Sequence, residues 1–268
     1  MDDKEPLLLR FTVALVLMSV AVYAFWLYQA DQTADDAGVN QQIVNSESST
    51  KQEAIVAAFY EVDHASVAQT EEPPEITGDE EADERIREIA VQRGYRLQLQ
   101  ADEADLVEVD ERRVLEEVRN SWEEMQKAAL EDGVELILAR GYVSIEEQRD
   151  DFLDALYERG VEQTGREYTT AQIQGGTADT AINATLRRHA IPGYSKHHSG
   201  LVVDIIDSSE DDFRGSAAYE WLRSDSFANA AEFGFIPSFP EDSPQQGMNP
   251  RAEEFVWVGA DRAEELRQ

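Results

Sequence analysis

The sequence contains no cysteine, so disulfide bonds and thiolate metal ligands are both excluded. Histidine is also scarce, because the 268 residues include only His64, His189, His197 and His198. A transition-metal site in this chain would therefore depend on a few imidazoles together with the carboxylates of Asp and Glu.

The second shortage is positive charge. The chain has 23 Lys and Arg residues against 56 Asp and Glu residues, which gives a formal net charge of -33. A surface this acidic repels the phosphates of nucleic acids and of anionic lipid head groups. We therefore expect no nucleic-acid partner, whereas a protein partner is compatible with this charge.

One long run lacks charge altogether. Residues 11–28 (FTVALVLMSVAVYAFWLY) contain no Asp, Glu, Lys or Arg. As a helix this run would be roughly 27 Å long, close to the hydrocarbon thickness of a bilayer. We predict a transmembrane anchor over residues 7–29, preceded by a short stub over residues 1–6.

The charges that flank this run predict its orientation. Lys4 and Arg10 precede it, and the next basic residue is Lys51. The positive-inside rule then leaves the stub in the cytoplasm and the rest of the chain on the other side of the membrane. A cleaved signal peptide, with its cleavage site after Ala24, is the alternative interpretation.

The next segment, residues 30–82, is polar and acidic and has few apolar residues. Such a composition does not bury enough apolar surface to offset the entropy of folding. We predict a flexible acidic linker over these residues, with His64 in solvent, and a folded domain over residues 83–268.

Helical and strand patterns alternate irregularly within this domain. Apolar residues three or four apart between Val114 and Ala129 predict a helix that is capped at Asp110. The apolar runs at residues 134–139 and 201–206 predict buried strands. This order indicates an α+β domain with a single mixed or antiparallel sheet and flanking helices.

The segment richest in candidate chemistry is PGYSKHHSGLVVDII, residues 192–206. His197 and Asp204 are seven residues apart, and Gly200 between them permits a sharp turn. An imidazole and a carboxylate suit zinc, although this spacing also arises by chance.

The pattern formed by Ser195, His197, Gly200 and Asp204 resembles the zinc-binding segment of VanY-type D-alanyl-D-alanine carboxypeptidases. Three further segments resemble that family in the same order along the chain. They are residues 140–148 (RGYVSIEEQ), residues 221–236, and residues 255–259 (FVWVG).

The resemblance implies a fold of the D-Ala-D-Ala peptidase and hedgehog type and one zinc ion. It also implies that peptidoglycan stem peptides are the substrates and that His197 and Asp204 are zinc ligands. In the family a second His completes the ligand set, and a Glu acts as general base. Ser195 and Gln148 are candidate substrate contacts, although Ser195 would alternatively shape the metal loop and Gln148 would alternatively pack.

This sequence departs from the family at the remaining site positions. One alignment keeps Glu253 as the base and places Val256 where the second His is expected. An alignment shifted by two residues places Arg251 at the base and Glu254 at the ligand position. In either alignment, Val143 stands where an Arg that binds the substrate is expected.

These departures leave the third ligand open between Glu254, Glu253 and His198, with Glu253 or Glu254 as the base. Two functions follow from the resemblance. The first is a membrane-anchored zinc carboxypeptidase that trims stem peptides on the periplasmic or extracellular side of the bacterial cytoplasmic membrane. The second is a pseudoenzyme that binds a muropeptide or a partner protein without cleaving it.

Overall fold

The fold is described from a computed structural model of the chain. The described residues are 54, 58–59, 64–208, 212–239 and 247–267. The predicted stub and transmembrane anchor lie outside these residues. Within the described part of the chain, no helix is both long and apolar enough to cross a membrane.

The described residues contain strands that form three small antiparallel sheets. The strands are β1 (Val67–Gln69), β2 (Leu99–Ala101), β3 (Leu106–Val109), β4 (Arg112–Leu115), β5 (Ile137–Arg140), β6 (Val202–Ile206), β7 (Phe235–Pro237) and β8 (Glu254–Trp257). Strands β1 and β2 form one pair, and β3 and β4 form a second. The main sheet has the strand order β5-β6-β8-β7, and all its pairings are antiparallel.

Helices flank the main sheet, as the sequence predicts. They are α1 (Glu80–Gln92), α2 (Glu116–Glu131), α3 (Ile145–Thr164), α4 (Thr170–Gln174), α5 (Asp179–Thr185), α6 (Ala217–Glu232) and α7 (Ala260–Arg267). One apolar core contains the main sheet with parts of α2 and α6, and a second core contains parts of α1, α3, α4 and α5. The predicted α+β class is confirmed, with three antiparallel sheets in place of a single one.

The predicted apolar stripe of α2 is buried, but the helix begins later than predicted. Val118, Trp122 and Met125 are fully buried on one face of α2. Asp110 does not cap this helix, because Asp110 and Glu111 form the turn between β3 and β4 with φ values of 49° and 61°. Positive φ at both turn residues matches the right-handed twist of a two-residue hairpin.

The structured part of the chain also begins before the predicted boundary at residue 83. Strand β1 pairs with β2, and Ile76 is fully buried. The carboxylate of Asp83 accepts hydrogen bonds from the backbone N–H groups of Ile76 and Thr77. His64 is hydrogen-bonded to Glu117 at 3.0 Å and does not lie free in solvent. The overall acidic composition of this segment did not predict these contacts, because only a few of its residues make them.

Candidate metal centre

A short turn presents His197 at the entrance to β6. The 3-10 turn Lys196–Ser199 begins after Ser195, whose hydroxyl accepts a hydrogen bond from the His197 N–H at 3.4 Å. It ends at Gly200, which has a φ of 68°. This left-handed conformation favours glycine, and a Cβ atom at Gly200 would also lie 2.9 Å from a methyl group of Leu106, which would have to move.

The main sheet brings two carboxylates together on neighbouring strands. Asp204 of β6 is directly opposite Glu254 of β8 in the antiparallel ladder. Residues opposite one another in such a ladder project their side chains from the same face of the sheet. Both side chains are buried, with 3% of Asp204 and 4% of Glu254 exposed.

The three side chains converge on one point. The Nε2 atom of His197 lies 3.3 Å from Oδ1 of Asp204 and 4.0 Å from Oε2 of Glu254. Ligand atoms of all three residues lie within 4.8 Å of one another. The other imidazole nitrogen of His197, Nδ1, lies 2.8 Å from the carbonyl oxygen of Gly141. An N–H at Nδ1 that donates to this oxygen leaves the Nε2 lone pair directed at the carboxylates.

These buried atoms fit a divalent metal ion. The Nε2 atom of His197 and Oδ1 of Asp204 have no hydrogen-bond partner among the described residues. Two ligands at about 2.05 Å from a tetrahedral ion lie roughly 3.3 Å apart, which agrees with the separation of these two atoms. One imidazole and two carboxylates form a donor set that zinc accepts.

The second oxygen of each carboxylate is close to a basic side chain. Arg251 donates from Nη2 to Oδ2 of Asp204 at 2.7 Å, and Nζ of Lys196 lies 3.7 Å from Oε1 of Glu254. Burial opposes ionisation of Asp204, but its interactions with His197 and with the Arg251 guanidinium outweigh burial and lower the pKa of Asp204 to about 2. Asp204 is therefore a carboxylate at neutral pH.

Glu253 is connected to the cluster through Arg251. The Nε group of Arg251 donates to Oε1 of Glu253 at 3.0 Å, so one guanidinium bridges Glu253 and Asp204. Glu253 is half-buried, whereas the neighbouring Glu254 is buried beside His197. The structure thus gives the two adjacent glutamates different positions, one in the ligand cluster and one at its edge.

His198 lies beside His197 but is occupied by other contacts. Its Nδ1 is 2.7 Å from the carbonyl oxygen of Val143, and its Nε2 accepts a hydrogen bond from the Gly193 N–H at 3.1 Å. Burial lowers the pKa of His198 to about 4, so the imidazole is neutral at neutral pH. Both ring nitrogens have partners, and His198 therefore links two loops and supplies no ligand to the cluster.

The structure separates the other candidate residues from the cluster. The amide of Gln148 donates to the carbonyl oxygen of Ala190 at 2.8 Å, which agrees with the alternative packing role, and its substrate contact stays a prediction. Val256 is fully buried between Val202 and Ile236 of the adjacent strands. Val143 is buried as well, with 6% of its surface exposed. This arrangement agrees with the alignment that gives Glu254 the ligand position.

Sequence reasoning missed the partners of the ligands. The contact of Lys196 with Glu254 and that of Arg251 with Asp204 were not predicted, although both basic residues adjoin candidate ligands in the sequence. The available signal was the presence of a lysine within the His motif of a chain that has only four lysines. The contact of Lys196 with Glu254 depends on the pairing of β6 with β8, and the sequence pattern does not predict this pairing.

Comparison with known proteins gives a family match over the same region. The family model described as VanY, D-alanyl-D-alanine carboxypeptidase, matches residues 111–258, more than half of the chain. A D-alanyl-D-alanine carboxypeptidase of Enterococcus faecalis is 31% identical over 140 residues, which cover 52% of this chain and 46% of that protein. A bifunctional D-Ala-D-Ala dipeptidase and carboxypeptidase of Enterococcus gallinarum is 29% identical over 152 residues, covering 53% and 66% of the two chains.

Solved structures of similar chains include two VanY structures. A vancomycin-resistance D,D-pentapeptidase VanY variant in complex with Zn(II) is 27% identical, with a TM-score of 0.46 over 60% of this chain and 83% of that chain. VanYB in complex with D-alanine-D-alanine is 26% identical, with a TM-score of 0.47 over 60% and 81%. The matches to the two enterococcal carboxypeptidases each span less than two thirds of the relative's length.

Proposed function

Because this chain belongs to the VanY family of D-alanyl-D-alanine carboxypeptidases, we propose that it acts on the D-Ala-D-Ala end of peptidoglycan stem peptides at a zinc site. The ligands are His197, Asp204 and Glu254. The observation that carries this proposal is the convergence of three buried side chains, in which His197 Nε2 lies 3.3 Å from Asp204 Oδ1 and 4.0 Å from Glu254 Oε2.

The side chains divide the work of hydrolysis between them. A zinc ion bound here would supply a Lewis acid that polarises the scissile amide carbonyl. Gly141 fixes the ring of His197, which keeps Nε2 available as a ligand. Glu253, at the partly exposed edge of the cluster, accepts the proton of the attacking water and passes it to the leaving amine. Arg251 positions the Glu253 carboxylate for this transfer.

One set of observations favours a second candidate, binding of a stem peptide without cleavage. The position at which the family has a substrate-binding Arg carries the buried, uncharged Val143. The guanidinium of Arg251 also holds the candidate base Glu253 in an ion pair. Loss of a charged partner for the developing oxyanion slows hydrolysis by about 100-fold or more.

Release of D-Ala from a stem pentapeptide distinguishes the two candidates. With zinc present, we expect the full-length protein to release D-Ala, and we expect the Glu253→Gln variant to be slower by at least about 100-fold because it lacks the proton acceptor. Glu253→Gln should lower zinc affinity less than Glu254→Gln does, because only Glu254→Gln weakens a ligand. Peptide binding without D-Ala release by the wild-type protein would favour the binding function.

We also propose that residues 7–29 anchor the protein in the bacterial cytoplasmic membrane, with the domain on the periplasmic or extracellular side. The support is the charge-free run and the distribution of Lys4, Arg10 and Lys51 around it. A reporter that is active only outside the cytoplasm, fused after Gln268, should be active in a bacterial host. Activity of a cytoplasm-specific reporter at the same position would contradict this orientation.

A further inference from the structure

The ligand cluster contains its own positive charges. Each carboxylate directs one oxygen towards His197, and its other oxygen lies close to a basic side chain. Arg251 is the basic partner of Asp204, and Lys196 is that of Glu254. The Nζ atom of Lys196 is buried, has no hydrogen-bond partner among the described residues, and lies 4.7 Å from the ring centre of Phe239. These contacts place a positive charge beside each of the two carboxylates before any metal ion is bound, although Arg251 shares its charge with Glu253.

A buried carboxylate without a partner is strongly unfavourable, and a metal ion is one way to compensate it. Here, Arg251 and Lys196 already provide compensation. Arginine is always protonated in proteins near neutral pH, so Arg251 presents a permanent positive charge to Asp204. The same two charges oppose a divalent cation, because they lie on the carboxylates that would bind it.

We propose that Arg251 and Lys196 are internal counter-ions of the cluster, which hold its ligands in place without metal and weaken its binding of zinc. The weakening of zinc binding rests on the metal site of the proposed function, whereas the positioning of the ligands in the metal-free protein does not. Arg251 and Lys196 are therefore positioning residues that act through Asp204 and Glu254. Through these contacts, the ligand side chains are already held in position in the metal-free protein.

Two opposing effects determine how zinc binding responds to the loss of Arg251. Loss of a hydrogen bond that orients a ligand lowers metal affinity by about 10- to 100-fold. Repulsion between a unit charge and a divalent cation about 6 Å apart lowers affinity by more than about 1000-fold at an effective dielectric constant of about 20. The repulsion is the larger effect, so removal of the positive charge should raise the affinity for zinc.

The Arg251→Gln variant of the full-length protein tests both parts of the proposal. By chelator competition at neutral pH, we expect it to bind zinc at least about tenfold more tightly than the wild type. In the presence of a chelator, we expect its melting temperature to fall by roughly 6–12 °C, because Asp204 loses its partner. Arg251→Lys retains the charge and should bind zinc nearly as weakly as the wild type.

Arg140→Gln is the matched control. Arg140 is also close enough to influence the ionisation of Asp204, but its guanidinium donates to Asp151 on α3 and to no ligand. We expect this variant to raise zinc affinity by less than Arg251→Gln does, because Arg140 donates to Asp151 and contacts no ligand of the cluster. Lys196→Met gives a second test that does not depend on the folding of the Arg251 variant, and it should also bind zinc more tightly.

The outcomes separate this proposal from the proposed function. Zinc affinity that is unchanged or weaker in both Arg251→Gln and Lys196→Met would overturn the counter-ion role. A wild-type protein whose zinc binding does not depend on His197 would instead contradict the metal site. In that case the melting temperature of metal-free Arg251→Gln still tests whether Arg251 holds the ligands in place. A melting temperature equal to that of the wild type would contradict this role.

Discussion

Replacement of His197 by alanine is expected to lower the affinity for zinc by two to three orders of magnitude. His197 supplies the one imidazole of the cluster, and its Nε2 lies within 4.0 Å of both carboxylates. Structural zinc sites with four ligands bind zinc with about 10–16 kcal/mol in total. One ligand accounts for about a quarter of this free energy, which corresponds to two to three orders of magnitude in affinity. Chelator competition at neutral pH measures the change, and D-Ala release from a stem pentapeptide should fall to background.

His189→Ala is the control for this experiment. It removes the same type of side chain, and His189 is not part of the ligand cluster. Its zinc affinity should equal that of the wild-type protein. A His197→Ala variant that still binds zinc as the wild type does would place the metal elsewhere and would remove the basis for a zinc peptidase.

Restoration of the family's residues is expected to raise D-Ala release by at least about 100-fold. The change combines Val143→Arg, Arg251→Glu and Glu254→His. It supplies a charged partner for the developing oxyanion, a base that is free of an ion pair, and a second imidazole ligand. The position of Glu254 opposite Asp204 supports this alignment of the family's residues with the chain.

The competing alignment supplies the control. It corresponds to Val143→Arg with Val256→His, which leaves Arg251 and Glu254 unchanged. Val256 is fully buried between β6 and β7, so a histidine there should destabilise the core and add no ligand. A larger increase in D-Ala release from this double variant than from the triple variant would show that the alignment based on Glu254 is wrong.

The elements with a strong apolar pattern could be predicted from the sequence. The buried stripe of α2 and the apolar run of β6 identify their elements, because burial of one face imposes the helical period on α2 and burial of both faces makes β6 continuously apolar. The β3–β4 hairpin was missed because its turn uses Asp110 and Glu111 at positive φ, where Asn or Gly is the usual signal. The segment before residue 83 was missed because its order depends on a few long-range contacts, such as β1 with β2.

The candidate site was predictable to a similar extent. The spacing of His197 and Asp204 alone was a weak signal for a metal, and it was the family resemblance that identified them as ligands and limited the third ligand to a few residues. The choice of Glu254 depends on the register between β6 and β8, which places it opposite Asp204. The sequence contains no local signal for this register. The same register explains why Arg251, at the position of the family's base, is able to contact Asp204.

The most direct test of the metal site is the anomalous diffraction signal of crystals grown with zinc, measured at the zinc absorption edge. We expect a peak at about 2.0–2.2 Å from His197 Nε2 and from one oxygen each of Asp204 and Glu254. A peak bound by other residues, or no peak within reach of these three side chains at saturating zinc, would contradict the metal site.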